Sequence, residues 1–404
     1  MLGQAHVSND GYAIVVARRR LWQAVRVWVY PAGDTRMPQS DISHLTELIG
    51  KGINQRADAR TRTPGSGRVR RAFADLLRHG PSYAAVNLVA SSPHPIDPKS
   101  IWNWFTWRRP RWVGTLEASY PPAGVRRRIL RQALRVPHAR GVEYHYDLSN
   151  DFYRLFLDQN YMLYSCADFI GVSDTLEIAQ AQKVSFIVNL IDPKPEERIL
   201  EIGCGWGGML RAVSEKVGDG ANLVGYTLSQ EQARHIRETS DHEVKVENFL
   251  TADLGLDCYD AIFGIGALEH VKPDEIGPLY SKIYAALKPG GRMVQQYFSL
   301  DGDDPFPASM ITSQLFFPGS NLSNQSHHLA CFEQAGFHIE HASRHDYRPT
   351  LRAWFDRLVE NKALAIELVG LETTQKYLAF FAASYHFFDR GEATLHRLRL
   401  AKNL

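Results

Sequence analysis

The chain has 404 residues, of which 44% are hydrophobic, and this is enough to bury the cores of two or three domains. No apolar run approaches the ~18 residues of a membrane-spanning helix, and the N-terminus lacks a signal-peptide pattern. The four cysteines have no paired spacing, which argues against structural zinc and is typical of a reducing compartment. We therefore expect a cytoplasmic globular protein without a bound metal.

The net charge of +2 conceals a strong asymmetry along the chain. Residues 1–140 carry 23 lysines and arginines against 8 acidic residues, whereas residues 141–404 carry 23 against 36. We therefore predict a small basic N-terminal domain with a linker over residues 1–140 and a catalytic domain over residues 141–404. A basic segment favours a polyanionic partner, either an anionic membrane surface or a nucleic acid. The alternative is a solvated surface rich in arginine.

The basic region contains four recognisable stretches. Ser40 to Ile53 has the pattern of a capped amphipathic helix, and Ala57 to Arg71 has the composition of a linker. Ile101 to Trp112 contains four tryptophans among arginines, a composition that suits the headgroup level of a bilayer. The alternative is that these tryptophans fill the core of a small domain. Val125 to Arg135 is typical of a basic helix.

From residue 141 onward, strand patterns alternate with helix patterns. A helix is predicted over residues 175–190 and another over residues 279–287. Strands are predicted at 222–227, 259–265 and 292–298, after a first strand that runs into a glycine turn at 198–208. This alternation predicts a parallel sheet with helices on both faces.

The turn after the first strand combines Glu201 at the strand end with Gly203, Gly205 and Gly207. Glycines let the backbone adopt conformations closed to other residues, and they let a ligand lie against the main chain. No Gly-Lys-Ser/Thr sequence is present, which excludes a P-loop, and no acidic residue ends the second strand, as a dinucleotide site would require. The turn therefore favours S-adenosylmethionine. The alternative is a turn that only tightens the corner between strand and helix.

Five motifs carry a more specific resemblance. In chain order they are His145 to Tyr153, Tyr164 to Cys166, Leu200 to Gly208, Leu268 to Val271 and Phe316 to Gly319. Together they resemble the cyclopropane-fatty-acyl-phospholipid synthase family, which includes the mycolic acid cyclopropane synthases. The resemblance begins near residue 142 and runs to the end of the chain. It implies an α/β, Rossmann-like class I methyltransferase fold with a mostly parallel seven-stranded sheet, a helical lid and S-adenosylmethionine as cofactor.

The resemblance also implies a reaction. A methyl(ene) group would be transferred to the cis double bond of an unsaturated fatty acyl chain of a phospholipid, giving a cyclopropane or a methyl-branched chain. In the family a bicarbonate ion accepts the proton that is lost, and the residues matching its cage are Cys166, Glu269, Gln296 and Tyr347. Gln296 stands where the family has histidine, and its amide forms hydrogen bonds but cannot titrate. The choice between ring and branch therefore stays open.

For the cofactor, the glycine pattern and the resemblance together point to ten residues. They are Tyr164 and Ser165 from the lid, Glu201, Gly203, Cys204, Gly205 and Gly207 at the turn, and Thr227, Leu228 and Gln232 near the ribose and adenine.

Three histidines close together in the sequence, His338, His341 and His345, resemble a metal cluster by their number. On a strand the first two would point to opposite faces, so surface histidines are the favoured interpretation.

We expect an unsaturated acyl lipid, or a similar hydrophobic alkene, as the substrate. The basic segment predicts peripheral attachment of this cytoplasmic enzyme to an anionic membrane surface, and a homodimer is a further option. One alternative is a small-molecule C- or N-methyltransferase, which the altered Gln296 and the atypical N-terminal region favour. Another is an RNA-binding methyltransferase; no RNA-binding module is recognisable, so we expect no nucleic acid.

Overall fold

The computed structural model describes residues 66–107, 114–136, 148–218 and 222–403, apart from 116 and 118, together with three strands nearer the N-terminus. Those strands, β1 (Ala5–Val7), β2 (Tyr12–Ala17) and β3 (Arg26–Pro31), form an antiparallel sheet in the order β1-β2-β3. The helix predicted from Ser40 to Ile53 and residues 145–147 of the first motif lie outside the described residues.

A second sheet has seven strands in the order β6-β5-β4-β7-β8-β10-β9. The strands are β4 (Arg198–Ile202), β5 (Asn222–Thr227), β6 (Glu243–Val246), β7 (Tyr259–Ile265), β8 (Leu287–Leu300), β9 (His338–His345) and β10 (Ala393–Ala401). Neighbours from β6 to β8 pair in parallel, whereas β10 runs antiparallel to both β8 and β9. The predicted Rossmann-like, mostly parallel sheet of seven strands is confirmed.

Thirteen α-helices have defined bounds within the described residues. They are α1 (Ser66–His79), α2 (Pro81–Ala90), α3 (Pro98–Thr106), α4 (Ala123–Ala133), α5 (Asn150–Arg154), α6 (Leu176–Ile191), α7 (Gly208–Val217), α8 (Gln230–Thr239), α9 (Pro273–Ala286), α10 (Ala308–Ser313), α11 (Gln325–Ala335), α12 (Arg348–Glu360) and α13 (Lys362–Asp389). A 3₁₀ turn covers Leu268–His270, and α13 bends at Gly370. None of these helices is long and apolar enough to cross a membrane.

Helices cover both faces of the large sheet because its central strands are apolar on both sides. On one face α6, α7 and α8 pack against β4 and β7, with Ile187, Met209 and Ile236 fully or almost fully buried. On the other face α9 and α11 pack through Tyr280 and Phe332, whose rings stack 4.2 Å apart. The carboxyl ends of the parallel strands are left free for a ligand, as in other open α/β sheets.

A third layer of helices covers this open edge of the sheet. Helices α2, α3, α5, α12 and α13 share an apolar cluster that includes Ile101, Phe152, Trp354 and Phe381. The chain divides by packing between Arg70 and Arg71, whereas the charge asymmetry predicts a division near residue 140. The two differ because α2 and α3, although they lie in the basic half of the sequence, bury their apolar faces against α13.

The tryptophan-rich segment serves this packing. The Trp102 ring lies 4.7 Å from Phe355 and 4.9 Å from Tyr385, and the Arg352 guanidinium lies 4.4 Å from it. For Trp102 and Trp104, which pack against the apolar cluster, the core interpretation therefore holds and the headgroup interpretation is wrong. Trp107 is exposed at the end of α3, and Trp112 lies outside the described residues.

Candidate active site

The glycine turn after β4 brings three parts of the chain into contact. Gly203 and Gly207 have φ values of 73° and 80°, and a Cβ on them would come within 2.9 Å of Ala267 and of Ile236 respectively. Gly205 has φ 52°, but a Cβ there would have no neighbour within 4 Å among the described residues. The turn is therefore packed at its two ends and open at Gly205, on the side where a ligand can lie against the backbone.

The start of α7 needs glycine for a different reason. A Cβ on Gly208 would lie 2.2 Å from the carbonyl oxygen of Tyr161. This close approach places the segment that leads to Tyr164, Ser165 and Cys166 directly over the turn. Asp158 fixes the position of this segment. Its buried carboxylate accepts hydrogen bonds from the backbone N–H groups of residues 161 and 163, at 2.6 and 2.9 Å.

The first motif supports the same turn. Ser149 caps α5 by accepting a hydrogen bond from the N–H of Phe152. The next residue, Asn150, accepts a hydrogen bond of 2.7 Å from the indole of Trp206, in the middle of the glycine turn. Tyr153 lies 4.9 Å from the same indole. The described part of this motif therefore positions the turn.

The end of β5 supplies the next wall. Gly203 and Cys204 both donate backbone hydrogen bonds of 2.9 Å to the carbonyl of Tyr226, so the turn lies beside Thr227. The hydroxyl of Thr227 donates to the Gln232 side chain over 2.7 Å, and Leu228 between them is half-buried. The prediction that these three residues lie near the ribose and adenine rests on the resemblance.

Buried polar groups lie under the turn. Lys183 is fully buried and donates a hydrogen bond of 3.0 Å to the Ser165 hydroxyl. Burial, with Arg397 as a second cause, lowers the pKa of Lys183 to about 7. Burial raises the pKa of Glu201 to about 8 although Lys183 and a hydrogen bond from the Leu210 backbone oppose the rise. Ser165 is thus tied to the scaffold, whereas the buried Oε2 of Glu201 has no hydrogen-bond partner among the described groups.

These residues fit S-adenosylmethionine. The opening at Gly205 offers backbone and no side chain to a ligand, and polar groups from two neighbouring strand ends surround it. The side chain of Cys204 is buried and packs with Leu210 against the place where a Cβ on Gly225 would be. Its backbone N–H donates to Tyr226 and its carbonyl accepts from the N–H of Gly207, so Cys204 belongs to the framework of the turn.

A cavity of about 250 Å³ adjoins the cofactor region and shares Tyr164 with it. We call the part of its lining formed by Tyr164, Gly266, Glu269, Tyr347 and Trp354 the inner end, and most of the lining surface is apolar. The apolar lining residues include Met310, Phe316, Phe317, Leu351, Phe380 and Ala383. Gly266 connects the cavity to the glycine turn, since it immediately precedes Ala267, the residue against which Gly203 packs.

Glu269 is the acidic residue at the inner end. Its carboxylate accepts a backbone hydrogen bond from Phe298, while its Oε2 has no hydrogen-bond partner within the described chain. Burial raises the pKa of Glu269 to about 8. The indole Nε1 of Trp354, on the same cavity, is also without a partner among the described groups. One carboxyl and one N–H donor are therefore available here to a ligand.

Aromatic rings surround this carboxyl group. Tyr347 contacts Trp354 at 5.8 Å and Phe388 at 5.1 Å, and Tyr164 lies 4.9 Å from Trp354. The faces of such rings attract a positive charge, and the attraction strengthens where water is excluded. The inner end of the cavity can therefore stabilise a cation.

The other two residues of the predicted cage lie apart from this cavity lining. The Cys166 thiol is buried, lies 3.5 Å from the carbonyl oxygen of Asp346, and has its pKa raised to about 12 by burial. Gln296 is buried on β8, where its Oε1 accepts a hydrogen bond of 2.7 Å from Nε of Arg397. The structure thus brings Glu269 and Tyr347 to one cavity but does not bring all four residues together there.

Arg397 organises a separate polar cluster. Its Nη1 donates to Asp168 over 2.6 Å, and Asp168 also pairs with Nδ1 of His345 at 3.1 Å. Burial alone would raise the pKa of Asp168, but hydrogen bonds from His345 and Arg397 lower it to about 2. A hydrogen-bond chain continues from His345 through Ser343 to His341. His345 is therefore part of the protein's interior network, and the surface interpretation of this residue is wrong.

Four residues of the site are not predicted from the sequence: Trp354, Lys183, Arg397 and Asp168. Trp354 falls outside the five motifs. Lys183 and Asp168 carry weak signals, since a lysine on the buried face of α6 and an aspartate beside Cys166 break otherwise apolar stretches. Arg397 carries no local signal, because its role depends on strand pairing with Gln296 across about 100 residues of chain.

The opening at Gly205 generates a test of cofactor binding. In Gly205→Val the branched side chain would fill the open space next to the backbone of residue 205, where the ligand is expected to lie. Binding of S-adenosylmethionine measured by calorimetry should therefore fall below detection. Gly391→Val is the matched control, because Gly391 also has a positive φ, of 65°, and also has free space around it. Comparable loss of thermal stability in both variants, with binding lost only in Gly205→Val, is the expected result. Unchanged binding in a folded Gly205→Val variant would contradict the assignment.

The buried carboxyl group of Glu269 generates a second test. Its folded-state pKa of about 8 exceeds the ordinary value of 4.5, so its contribution to stability is complete below pH 4.5 and is lost as the pH rises through 8. The slope is at most ~1.4 kcal/mol per pH unit. Denaturant unfolding of the ligand-free protein from pH 5 to 9 should therefore show a smaller loss of stability in Glu269→Gln than in the wild type. Glu215→Gln, at an exposed position, should follow the wild type; parallel curves for all three proteins would show that Glu269 is not buried as described.

Comparison with known proteins agrees with this geometry. Residues 134–398 match the family of mycolic acid cyclopropane synthetases. A probable fatty acid methyltransferase of Mycobacterium tuberculosis is 29% identical over 350 residues, covering 80% of this chain and 81% of that protein. Among solved structures, the cyclopropane synthase MmaA2 of M. tuberculosis superimposes with a TM-score of 0.60 and 27% identity, covering 66% of this chain and 99% of that one. The mycolic acid cyclopropane synthase CmaA1 complexed with SAH and CTAB superimposes with a TM-score of 0.59 and 28% identity, and the superposition covers 66% of this chain and 99% of that one.

The match covers more than half of the chain and includes the glycine turn, Glu269 with the residues around it, and the Arg397 cluster. The chain therefore belongs to the mycolic acid cyclopropane synthetase family, and it is an S-adenosylmethionine-dependent methyltransferase.

Proposed function

We propose that the enzyme modifies the cis double bond of an unsaturated fatty acyl chain of a phospholipid, and that its product is a cyclopropane or methyl-branched acyl chain. The observation that carries this proposal is the mostly apolar cavity beside the cofactor region, whose lining includes a buried carboxyl group together with aromatic rings. Such a cavity suits an alkyl chain, which offers no hydrogen bonds along its length. The names of the relatives, which act on fatty acids and mycolic acids, support the same substrate class.

When bound, S-adenosylmethionine supplies an electrophilic methyl group on a sulfonium centre. Tyr164, Tyr347 and Trp354 would stabilise the positive charge that develops on the former alkene carbon. Glu269 lies at the same end of the cavity, and its Oε2 would accept the proton that the added methyl group loses when a ring closes. Its pKa would be lower when a sulfonium cation is bound nearby, which favours the carboxylate form that a base requires.

We propose a bicarbonate site that is formed by fewer of the predicted residues than the four-residue cage. An ion at the inner end of the cavity would meet Glu269, Tyr347 and the free N–H of Trp354, whereas Cys166 and Gln296 are engaged elsewhere. Bicarbonate there would supply a proton acceptor that Glu269 orients. Turnover in degassed buffer, with and without added bicarbonate, separates this arrangement from one in which Glu269 acts alone.

One feature of the site also favours a second candidate function. A carboxyl group within an aromatic cavity can hold an amine or ammonium group, so an N-methyltransferase of a small hydrophobic amine is the alternative proposal. An RNA-binding methyltransferase has less support, because the cavity is narrow and apolar. Product analysis distinguishes the candidates, since only the lipid reaction adds carbon to an acyl chain.

The cytoplasmic location, the peripheral attachment to an anionic membrane and the homodimer stay predictions.

The assigned role of Glu269 predicts a large effect on rate. Glu269→Gln keeps the size and a hydrogen-bond acceptor but removes the base, so turnover should fall by ~10² to 10⁴. Affinity for S-adenosylmethionine should stay within about threefold of the wild type, because the substitution keeps the size of the side chain and leaves the glycine turn and the end of β5 unchanged. Cys166→Ala, which removes a buried thiol outside the cavity lining, should reduce turnover much less. Full activity in Glu269→Gln would remove this residue from the reaction.

The cavity itself is tested by narrowing it. Ala383→Trp would place an indole among the apolar lining residues of α13, so long unsaturated acyl chains should no longer enter. Ala363→Trp lies on the same helix at an exposed position and serves as the control. Lipid mass spectrometry of cells expressing each protein should show acyl chains one CH₂ heavier for the wild type and the control, and few or none for Ala383→Trp. Equal product from both variants would contradict the proposed path of the chain.

A further inference from the structure

Helix α4 carries a basic face that the fold leaves exposed. Its inner side is fixed by Leu130, which is fully buried with Met310 and Ile311 of α10, and by Arg126, which pairs with Asp304 at 2.6 Å. Its outer side carries three exposed arginines, Arg127, Arg128 and Arg131, and a fourth, Arg135, is exposed just after the helix ends. Within the described parts of the chain, the ion pair of Arg126 is the only one that α4 makes.

The end of helix α1 lies beside the start of α4. The Tyr120 hydroxyl donates a hydrogen bond of 2.6 Å to the carbonyl of Leu77, and Gly80 packs against the Tyr120 backbone. Two neighbouring side chains of α1, Leu76 and Leu77, are 38% and 55% exposed. Val125 at the start of α4 is 46% exposed. Apolar side chains therefore lie on the surface close to the basic face.

We call these exposed residues the α1–α4 surface. It comprises Leu76, Leu77, Arg78, Val125, Arg127, Arg128, Arg131 and Arg135. Exposed arginines around a few exposed apolar side chains are the composition of an interfacial membrane-binding surface, in which the apolar groups enter the acyl boundary and the guanidinium groups bind lipid phosphates.

The α1–α4 surface lies next to residues that line the cavity. His79, Gly80 and Ser82, which follow Leu76 and Leu77 closely along the chain, line the cavity, as does Tyr120. Residues of α10, on which α4 packs, line it too. One cavity with a mostly apolar lining therefore reaches from residues next to the α1–α4 surface to Glu269.

We infer that the α1–α4 surface docks on an anionic lipid bilayer, so that an acyl chain passes from the bilayer into the cavity without crossing water. This inference rests on the proposed function and names the part of the chain that brings enzyme and lipid together. Single-sign charge favours an anionic partner. The bilayer is favoured over a nucleic acid because Leu76, Leu77 and Val125 would gain from burial in lipid but have no counterpart on a phosphate backbone.

The experiment compares two double variants with matched controls. Arg127→Gln/Arg131→Gln removes charge from the surface, and Leu76→Ser/Leu77→Ser removes its apolar part. Lys216→Gln/Arg234→Gln removes the same charge from exposed positions on α7 and α8, and Leu256→Ser removes an exposed leucine elsewhere. Binding of the full-length proteins is measured by co-sedimentation with vesicles of phosphatidylcholine alone and with added phosphatidylglycerol, at low and high salt.

The wild type and both controls should bind the anionic vesicles and lose binding at high salt. The arginine variant should bind on the order of tenfold to thirtyfold more weakly, because each basic residue near such a surface contributes severalfold to affinity. The leucine variant should bind more weakly at every salt concentration. The inference would be overturned if both surface variants bound the anionic vesicles as strongly as the wild type does. It would also be overturned if the wild type bound RNA and did not bind the vesicles.

Activity distinguishes this inference from the proposed function. Each protein is assayed on an unsaturated phospholipid embedded in anionic vesicles and on the same lipid dispersed in a neutral detergent. The surface variants should lose activity on vesicles by about tenfold and keep it in detergent. Equal activity of all variants on vesicles would contradict the docking surface while leaving the proposed function intact, whereas absence of lipid product from the wild type in both assays would contradict the proposed function.

Discussion

The fold depends on the absence of side chains at the turn between β4 and α7. At Gly203, Gly207 and Gly208 a single methyl group would meet Ala267, Ile236 and the carbonyl of Tyr161 at 2.9 Å or less. The glycines therefore let the cofactor turn, the segment preceding Glu269 and the segment preceding Cys166 lie against one another. A sheet edge becomes a reaction site here because backbone, rather than side chains, fills the space where these segments meet.

Charge is distributed unevenly within the interior. Burial of an ionisable group is unfavourable unless partners compensate for lost hydration. Arg397 has such partners in Asp168 and Gln296, so its cluster is a fixed part of the scaffold. Glu269 lacks a partner for Oε2 in the described chain, and burial raises its pKa accordingly. A group left with this unsatisfied capacity inside a cavity is the one that a substrate or an ion can use.

Local motifs could be predicted from the sequence, whereas long-range pairings could not. The turn and the strands at 222–227 and 259–265 follow from patterns within short windows, and the number of seven strands follows from the family resemblance; the structure confirms them. Trp102 was ambiguous because aromatic composition alone does not distinguish a buried ring from an interfacial one. The engagement of Gln296 by Arg397 could not be predicted, since strand β10 approaches β8 only in the folded sheet. A one-residue motif match therefore located Gln296 correctly in the sheet but could not give its hydrogen-bond partner.

The central claim is that a methyl group is added to an alkene and then loses a proton to Glu269 or to an ion that Glu269 holds. The most direct measurement uses S-adenosylmethionine with a trideuterated methyl group and an unsaturated phospholipid, followed by mass spectrometry of the acyl product. The account predicts that the added carbon retains two of its three deuterons, because one leaves when the ring closes. An added carbon that keeps all three deuterons would show a methyl branch and would contradict ring closure with proton loss to Glu269, and label found on nitrogen and not on the acyl chain would contradict the account as a whole.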